Sequence, residues 1–149
     1  MTPKQKIMRS VVTTMTINAP VDKVWSVIAK GSGLDKWFPV IATCELKGTG
    51  EGAKRECTTV QGALLKETII TIDSNARVFQ YTIDEQNMMP TKNVLGSIYV
   101  SDAENNGSKI VWMANFELTD PAMEQPVLSG IDELYQSGIK GLEQFISNN

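Results

Sequence analysis

Histidine is absent from the 149 residues of this sequence. Its absence excludes Ser-His-Asp and Cys-His nucleophilic schemes, histidine-ligated metals and the usual general base near neutral pH. Any catalysis would have to rely on carboxylates, lysine, tyrosine, cysteine or arginine. The range of enzyme mechanisms open to this chain is therefore narrow.

Cysteine is scarce: Cys44 and Cys57 are the only two, and both fall in segments that we predict to be neighbouring strands. We expect two buried free thiols, as is typical of proteins in a reducing compartment. A disulfide or redox pair is the alternative, although the spacing matches no known redox motif. Two thiols alone cannot complete a zinc site, and we predict neither a metal nor another cofactor.

Long apolar runs and basic clusters are also missing. No run of about 18 apolar residues is present, so we expect no stable membrane insertion. The net charge of −3 without a basic block argues against a nucleic-acid partner. The segment Met1–Arg9 has charged residues but no apolar region behind it, unlike a signal peptide. We therefore predict a cytoplasmic location.

The composition that remains is that of a folded domain. Hydrophobic residues make up 42% of the chain and charged residues 21%, which is enough for a core and argues against disorder. We find no repeat, low-complexity segment or linker. Residues 1–149 are expected to form one domain.

Turn residues divide the chain into short segments. Those in which apolar residues alternate are typical of strands, and those with apolar residues at helical spacing are typical of helices. Pro20 begins a helix with Val21, Val24, Trp25 and Ile28 on one face, and a short helix follows at 34–37. We predict strands at 10–18, 40–47, 53–60, 63–73, 77–84, 93–102 and 109–118, and a long helix from Pro121 to about Ile146, with Asp120 as its N-cap.

The loop at Val60-Gln61-Gly62 fixes one predicted strand register. Glycine at its third position suits a three-residue hairpin loop, which places Arg55 opposite Glu67. A two-residue loop would put these two side chains on opposite faces of the sheet. We prefer the first register because it pairs opposite charges across the strands.

The next turn, around Ser74-Asn75-Ala76, extends this pattern. Pairing Thr71 with Arg77 would bring Glu67 opposite Tyr81. Arg55, Glu67 and Tyr81, which we call the polar row, would then cross three strands on one face of the sheet.

The last hairpin contains Asn105-Asn106-Gly107, a strong turn signal. A two-residue turn at Asn106-Gly107 puts Ile98 on the same face as Met113 and Asn115, and these three are candidate pocket residues. Trp112, Ala114 and Phe116 would lie on the other face. Both faces are apolar, so the sequence leaves open which one points inward, and a bulge could exchange them.

The long C-terminal helix carries a broad apolar stripe that includes Leu134 and Gly138, and we predict that it packs on the sheet. Its stripe needs a concave sheet surface, and the first strand can join the six-strand meander only by pairing with the last. The expected fold is α+β: a seven-stranded antiparallel sheet wrapped around a long C-terminal helix, with two short helices after the first strand.

A family resemblance rests on six runs of residues: 19–25 (APVDKVW), 34–39 (LDKWFP), 52–55 (GAKR), 66–68 (KET), 81–83 (YTI) and 110–116. With these runs the chain resembles the START-like helix-grip superfamily, also called SRPBCC, and most of all its bacterial polyketide cyclase/dehydrase-like branch. The resemblance covers nearly the whole chain. It implies a cavity between the sheet and the long helix, with Glu67, Tyr81 and Ile83 pointing into it.

The resemblance also has departures. The plant abscisic acid receptors of the superfamily carry a lysine that anchors a ligand carboxylate, and the matching position here is Ala42. A tyrosine of the receptor pocket is replaced by Val94. The resemblance therefore does not imply binding of abscisic acid.

Three interpretations of the polar row remain open. It is a buried structural network, a polar patch for an otherwise hydrophobic ligand, or a catalytic group with Glu67 as general base and Arg55 or Tyr81 as stabiliser of an enolate. An arginine partner stabilises the ionised carboxylate, which weakens it as a base. Trp37 at the pocket mouth and Met89 in an adaptable Met-Met-Pro loop are further candidates.

The sequence therefore favours a carrier or sensor of a small hydrophobic or lipid-like molecule. The first alternative is a polyketide cyclase/dehydratase-like enzyme that uses Glu67 with Arg55 and Tyr81. The second is a protein-interaction domain with a vestigial pocket, in which an exposed sheet face binds a partner or a second copy to form a homodimer.

Overall fold

The fold was analysed in a computed structural model, which describes residues 5–149. Within these residues, three helices and seven strands follow one another, with 3-10 turns at Glu104–Asn106 and Pro121–Met123. The first four residues of the Met1–Arg9 segment, in which we expect no signal peptide, lie outside the described residues. The elements are β1 (Ile7–Ile17), α1 (Val21–Ala29), α2 (Leu34–Trp37), β2 (Ile41–Lys47), β3 (Lys54–Thr59), β4 (Leu64–Asp73), β5 (Val78–Gln86), β6 (Thr91–Ala103), β7 (Gly107–Leu118) and α3 (Glu124–Ser147).

All seven strands form one antiparallel sheet in the order β1-β7-β6-β5-β4-β3-β2. The first strand pairs with the last, as predicted. Helix α3 buries its apolar stripe against the concave face of the sheet, and α1 and α2 connect the two edge strands β1 and β2. The predicted helix-grip α+β architecture is confirmed.

The two helix starts differ slightly from the prediction. Pro20, the predicted first helical residue, is the N-cap of α1, and the helix begins one position later at Val21. Helix α3 begins at Glu124, because the side chain of Asp120 accepts a hydrogen bond from the Ala122 backbone N–H and holds a 3-10 turn at Pro121–Met123. The capping role of Asp120 is as expected, but it caps this turn before the α-helix proper begins.

The predicted β3–β4 register is confirmed. Arg55 pairs with Glu67 and Cys57 with Leu65. Gly62 has a φ of 88°, and its backbone N–H bonds to the Thr59 carbonyl. Because only glycine adopts this left-handed conformation without strain, the three-residue loop fixes the pairing.

The predicted β4–β5 register is wrong by two residues. Glu67 lies opposite Ile83, and Tyr81 lies opposite Ile69. The turn starts later than predicted because the Asp73 carboxylate accepts the backbone N–H groups of Asn75 and Ala76, and bulges then shift the pairing. A shift of two residues preserves the face, so Tyr81 remains on the concave side.

The predicted turn of the last hairpin is also wrong, and this changes the face on which two candidate site residues lie. Asn105 and Asn106 both adopt left-handed conformations with φ of 59°. The loop therefore has three residues and pairs Ala103 with Gly107, which places Ile98 opposite Trp112. Met113 and Asn115 consequently lie on the outer face of the sheet.

The two cysteines form a disulfide, so the expectation of free thiols is wrong. Cys44 of β2 lies directly opposite Cys57 of β3, with 4.1 Å between their Cα atoms. The β2–β3 register, which the sequence did not specify, brings the two side chains together. Within the described residues no cluster of three or more potential metal ligands occurs, and no helix there combines the length and apolar character needed to cross a bilayer.

Close packing of α3 depends on glycine. A Cβ atom at Gly141 would overlap the backbone carbonyl of Trp37, which cannot move without shifting α2. At Gly130, on the same helix, a Cβ atom would meet only the terminal methyl of Met89 at an ordinary distance of 3.4 Å.

We therefore expect Gly141→Ala to destabilise the protein by about 1–3 kcal/mol, because overpacking outweighs the gain in helix propensity. Gly130→Ala is the matched control and should be neutral or stabilising by up to about 1 kcal/mol. Urea unfolding followed by circular dichroism measures both. Equal free energies of unfolding for the two variants would contradict the described packing of α3 on α2.

Candidate functional site

A cavity of about 90 Å³ lies between the concave face of the sheet and α3. Most of its walls are apolar, and the polar side chains that reach it come from Glu67, Tyr81, Gln86, Thr91 and Tyr135. We call it the main cavity. Its volume is well below the roughly 300–1,000 Å³ of pockets that hold drug-sized ligands.

A second, smaller cavity of about 30 Å³ lies deeper in the core and shares Glu67 and Tyr81 with the main cavity. We call it the inner cavity. Trp37 also lines it, and the indole Nε1 of Trp37 makes no hydrogen bond within residues 5–149. The inner cavity is large enough for about one water molecule.

Eight of the predicted site residues line one of these cavities. The main cavity contains Glu67, Tyr81, Ile83, Met89 and Leu134, and the inner cavity adds Arg55, Trp37 and Ile98.

The other three predicted residues lie elsewhere. Asn115 accepts a hydrogen bond from the Ser10 hydroxyl on the outer face, and Met113 lies on that same face opposite Val12. Gly138 packs against Trp112 and Phe38, because a helix surface without a side chain lets these two rings approach it.

A buried ion pair forms the polar end of the site. Arg55 Nε donates to Glu67 Oε1 at 2.7 Å, and the two residues are only 3% and 6% exposed. Arg55 Nη1 also donates to the Gly31 carbonyl at 2.9 Å. The guanidinium carbon lies 5.7 Å from the ring centre of Phe79 and 5.3 Å from that of Tyr81. These interactions offset the cost of removing the two charges from water.

Three aromatic side chains make a second polar group beside the ion pair. Trp112 Nε1 donates to the Tyr81 hydroxyl at 3.1 Å, and the hydroxyls of Tyr81 and Tyr135 lie 3.5 Å apart. The rings of Trp112 and Tyr135 stack at 4.3 Å. Tyr81 can occupy this position because its cross-strand partner is Gly96, where any Cβ atom would overlap the phenol ring.

Both tyrosines remain protonated at neutral pH. Burial, together with the nearby Glu67 carboxylate, raises the pKa of Tyr81 to about 12. Burial and the adjacent Tyr81 hydroxyl raise the pKa of Tyr135 well above its usual value. Each hydroxyl is therefore a neutral hydrogen-bond donor and acceptor.

The β5–β6 loop borders the main cavity with Met88 and Met89. Gln86 Nε2 donates to the carbonyls of Met89 and Thr91, and Gln86 Oε1 accepts from the N–H groups of Met88 and Met89. One side chain thus holds the loop in place. Met88 and Met89 separate the main cavity from an open groove of about 560 Å³ at the β3–β4 loop.

The structure also locates Ala42 and Val94, the two positions at which the chain departs from the plant receptors. Val94 lines the main cavity, so no tyrosine hydroxyl enters at that point. Ala42 is exposed on β2, within a bulge between Ile41 and Thr43. The main cavity therefore has no cationic anchor at either position.

Sequence reasoning missed Tyr135, Gln86 and the inward face of β7 with Ala114 and Phe116. Tyr135 belongs to the apolar stripe of the long helix, and the polar tip of a tyrosine at such a position could have indicated a polar group in the cavity. Gln86 gave no signal, because its role depends on the local shape of the following loop.

The sheet folded around one long helix, with a cavity between them, defines the helix-grip class of α+β proteins. The family model described as polyketide cyclase / dehydrase and lipid transport matches residues 8–145. The chain belongs to this family, and the resemblance seen in the sequence is confirmed. Membership supports the binding of hydrophobic molecules in general terms and specifies no ligand or reaction.

Solved structures from bacteria and plants share the fold. An uncharacterised protein from Bacillus thuringiensis is 24% identical, with a TM-score of 0.82, over 93% of this chain and 98% of its own. Ginseng major latex-like protein 151 from Panax ginseng is 16% identical, with a TM-score of 0.78, over 92% of this chain and 96% of its own.

Norcoclaurine synthase from Thalictrum flavum, solved with dopamine and hydroxybenzaldehyde, is 13% identical with a TM-score of 0.77, over 100% of this chain and 95% of its own. At these identities the similarity concerns the fold alone. No curated protein matches the chain in sequence.

The ion pair gives the first prediction for the site. Arg55→Met should destabilise the protein by about 3–5 kcal/mol, because it leaves the Glu67 carboxylate buried without a partner. Glu67→Leu should cost less, because Arg55 keeps the Gly31 carbonyl and the two aromatic faces. The double variant should be more stable than Arg55→Met alone. Urea unfolding at pH 7 completes this double-mutant cycle, and strictly additive free energies would contradict the described pair.

The tyrosines give a pH-dependent prediction. The unfolded chain releases the Tyr81 proton near pH 10, whereas the folded protein holds it to about pH 12. The stabilisation from the neutral phenol is therefore complete below pH 10 and is lost between pH 10 and 12, with an upper limit of about 3 kcal/mol from Tyr81. The free energy of unfolding of Tyr81→Phe should fall less steeply over this range. Tyr99→Phe, on the outer face, is the matched control. A slope unchanged by Tyr81→Phe would contradict this account.

Proposed function

We propose that the protein binds a small hydrophobic molecule with one polar group in the main cavity, as a carrier or sensor. The observation that carries this proposal is the combination of apolar walls with the polar group of Glu67, Tyr81 and Tyr135. The other two polar side chains, Gln86 and Thr91, bond to each other. Apolar lining supplies most of the affinity of such sites, and a few placed polar groups orient the ligand.

Loop 87–90 supports the proposal by offering a route for entry. Met88 and Met89 separate the main cavity from the open groove outside. Methionine side chains are flexible and adapt to varied shapes. A rearrangement of these two side chains would join the two spaces without moving the sheet or α3.

Binding is favoured over catalysis by the state of Glu67. One of its oxygens accepts from Arg55, so a base role for this residue would have to use the other oxygen. Both phenols hold their protons tightly, so neither supplies a base near neutral pH. The cyclase or dehydratase alternative would need Glu67 to act despite this pairing.

The other expectations from the sequence remain proposals. A homodimer would use the outer face of the sheet, where Met8 and Val12 of edge strand β1 are more than half exposed. A cytoplasmic location is a further proposal. Neither affects the argument for the cavity.

We predict that Val94→Phe abolishes ligand binding, because the added ring projects into the main cavity from β6. Leu95→Phe is the matched control, since the neighbouring side chain points to the other face of the same strand. Native mass spectrometry of the protein purified from its source cells should detect a bound small molecule in wild type and Leu95→Phe only. NMR titration with toluene should show saturable shifts in the same two proteins.

Wild-type protein that carries no small molecule and shows no saturable shifts with toluene or 4-methylphenol would overturn the proposed function.

A further inference from the structure

The two buried tyrosines leave one hydrogen-bond donor unused. Their hydroxyls carry two protons and lie 3.5 Å apart, so only one proton can occupy the line between the oxygens. The Tyr81 oxygen already accepts from Trp112 Nε1. Within residues 5–149 neither hydroxyl has another acceptor in reach. Whichever tyrosine donates to the other, one phenolic proton therefore remains free, and both residues line the main cavity.

Glu67 leaves an acceptor unused at the same end of the cavity. Its Oε1 accepts from Arg55, whereas its Oε2 makes no hydrogen bond within the described residues. Within residues 5–149, Trp37 Nε1 is the only polar side-chain atom that is both fully buried and without a hydrogen-bond partner. Oε2 has no partner either, so it is not fully buried. The Oε2 atom is thus open to the cavity space that Glu67 shares with Tyr81.

A free donor beside a free acceptor defines the group that would fit. A hydroxyl accepts the phenolic proton and donates its own to Glu67 Oε2. An ether or a carbonyl accepts but leaves the carboxylate oxygen unpaired, and a protonated amine donates but leaves the phenolic proton unpaired. A carboxylate has no proton to donate and would leave Glu67 Oε2 facing another anionic oxygen.

The size and shape of the main cavity limit the rest of the ligand. An apolar cavity of about 150 Å³ holds a benzene molecule, and the main cavity measures about 90 Å³. The main cavity is therefore smaller than one ring needs, so a single-ring ligand requires the side chains of Met88 and Met89 to move aside, and a multi-ring polyketide would require a larger opening. Aromatic walls from Phe38, Phe116 and Tyr135 favour a flat molecule.

We propose that the site selects uncharged, hydroxylated single-ring compounds, the phenol class, by pairing their hydroxyl with Glu67 Oε2 and the free tyrosine proton. This inference rests on the proposed function and specifies its ligand class. The polar groups determine the selectivity, and the apolar walls determine the baseline affinity for any ring.

Isothermal titration calorimetry at pH 7 with five matched probes tests the inference. They are 4-methylphenol, toluene, 4-methylanisole, 4-methylbenzoate and benzylamine. We expect 4-methylphenol to bind at least about tenfold more tightly than each of the others. Toluene makes neither hydrogen bond, 4-methylanisole and benzylamine each make only one, and 4-methylbenzoate has no proton to donate to Glu67 Oε2.

Variants of the tyrosines make the test specific. Tyr81→Phe and Tyr135→Phe each leave one phenolic proton free, so each single variant should keep a preference for 4-methylphenol over toluene. The double variant leaves none and should reduce that preference by about threefold or more, the loss of one neutral hydrogen bond, while the bond to Glu67 Oε2 remains. Its affinity for toluene shows that the cavity is intact. Tyr99→Phe, on the outer face, controls for loss of a hydroxyl elsewhere.

The possible results separate the two proposals. Equal affinity for 4-methylphenol and toluene in wild type would overturn the ligand class and leave the proposed function standing. Tightest binding of the benzoate or the amine would also overturn it, as would a full preference for 4-methylphenol in the double variant. Binding of none of the five probes would overturn the proposed function itself.

Discussion

The buried ion pair between Arg55 and Glu67 is the constraint on which the site depends. Two charges in a core are tolerated only when their remaining hydrogen-bonding groups find partners. The Gly31 carbonyl and the faces of two aromatic rings serve Arg55. Gly31 lies just after α1, so the pair links β3 and β4 to the connection between α1 and α2. Substitution of Gly31 would disturb this link, because its φ of 71° favours glycine and a Cβ atom there would overlap Ile69.

The same pair shapes the chemistry of the main cavity. Because only one oxygen of Glu67 is engaged by Arg55, the other can serve a ligand without breaking the pair. The neighbouring phenols stay neutral because burial and the carboxylate charge both disfavour their ionised forms. The polar end therefore combines a carboxylate oxygen, which accepts a hydrogen bond, with a neutral donor. That combination favours recognition of a hydroxyl over base catalysis.

Much of the fold could be predicted because local signals agreed with the tertiary structure. The left-handed Gly62 and the opposite charges of Arg55 and Glu67 indicated the same β3–β4 register. The apolar stripe of α3 required a concave sheet to cover it. The two predictions that were wrong, the β4–β5 register and the last turn, had no such agreement between local signals and tertiary structure. The β4–β5 pairing depends on bulges that no residue type in the sequence indicates. The last turn depends on two asparagines in left-handed conformations, between strands whose faces are both apolar.

For the candidate site, the polar row could be recognised from isolated polar residues within apolar strands, whereas its partners could not. Tyr135 reaches the cavity only because α3 packs at one particular rotation, and Gln86 holds the bordering loop through bonds that depend on its irregular shape. The disulfide between Cys44 and Cys57 likewise depends on a register that the sequence did not specify.

The central claim is that the space between the sheet and α3 is a binding site with its polar end at Glu67 and the paired tyrosines. A crystal structure of the protein as purified from its source cells tests it most directly. The account predicts electron density for a small, flat molecule with an oxygen within hydrogen-bond distance of Glu67 Oε2 and of one tyrosine hydroxyl. A cavity filled by the side chains of Met88, Met89 or Phe116, with Glu67 Oε2 bonded to the protein, would contradict it.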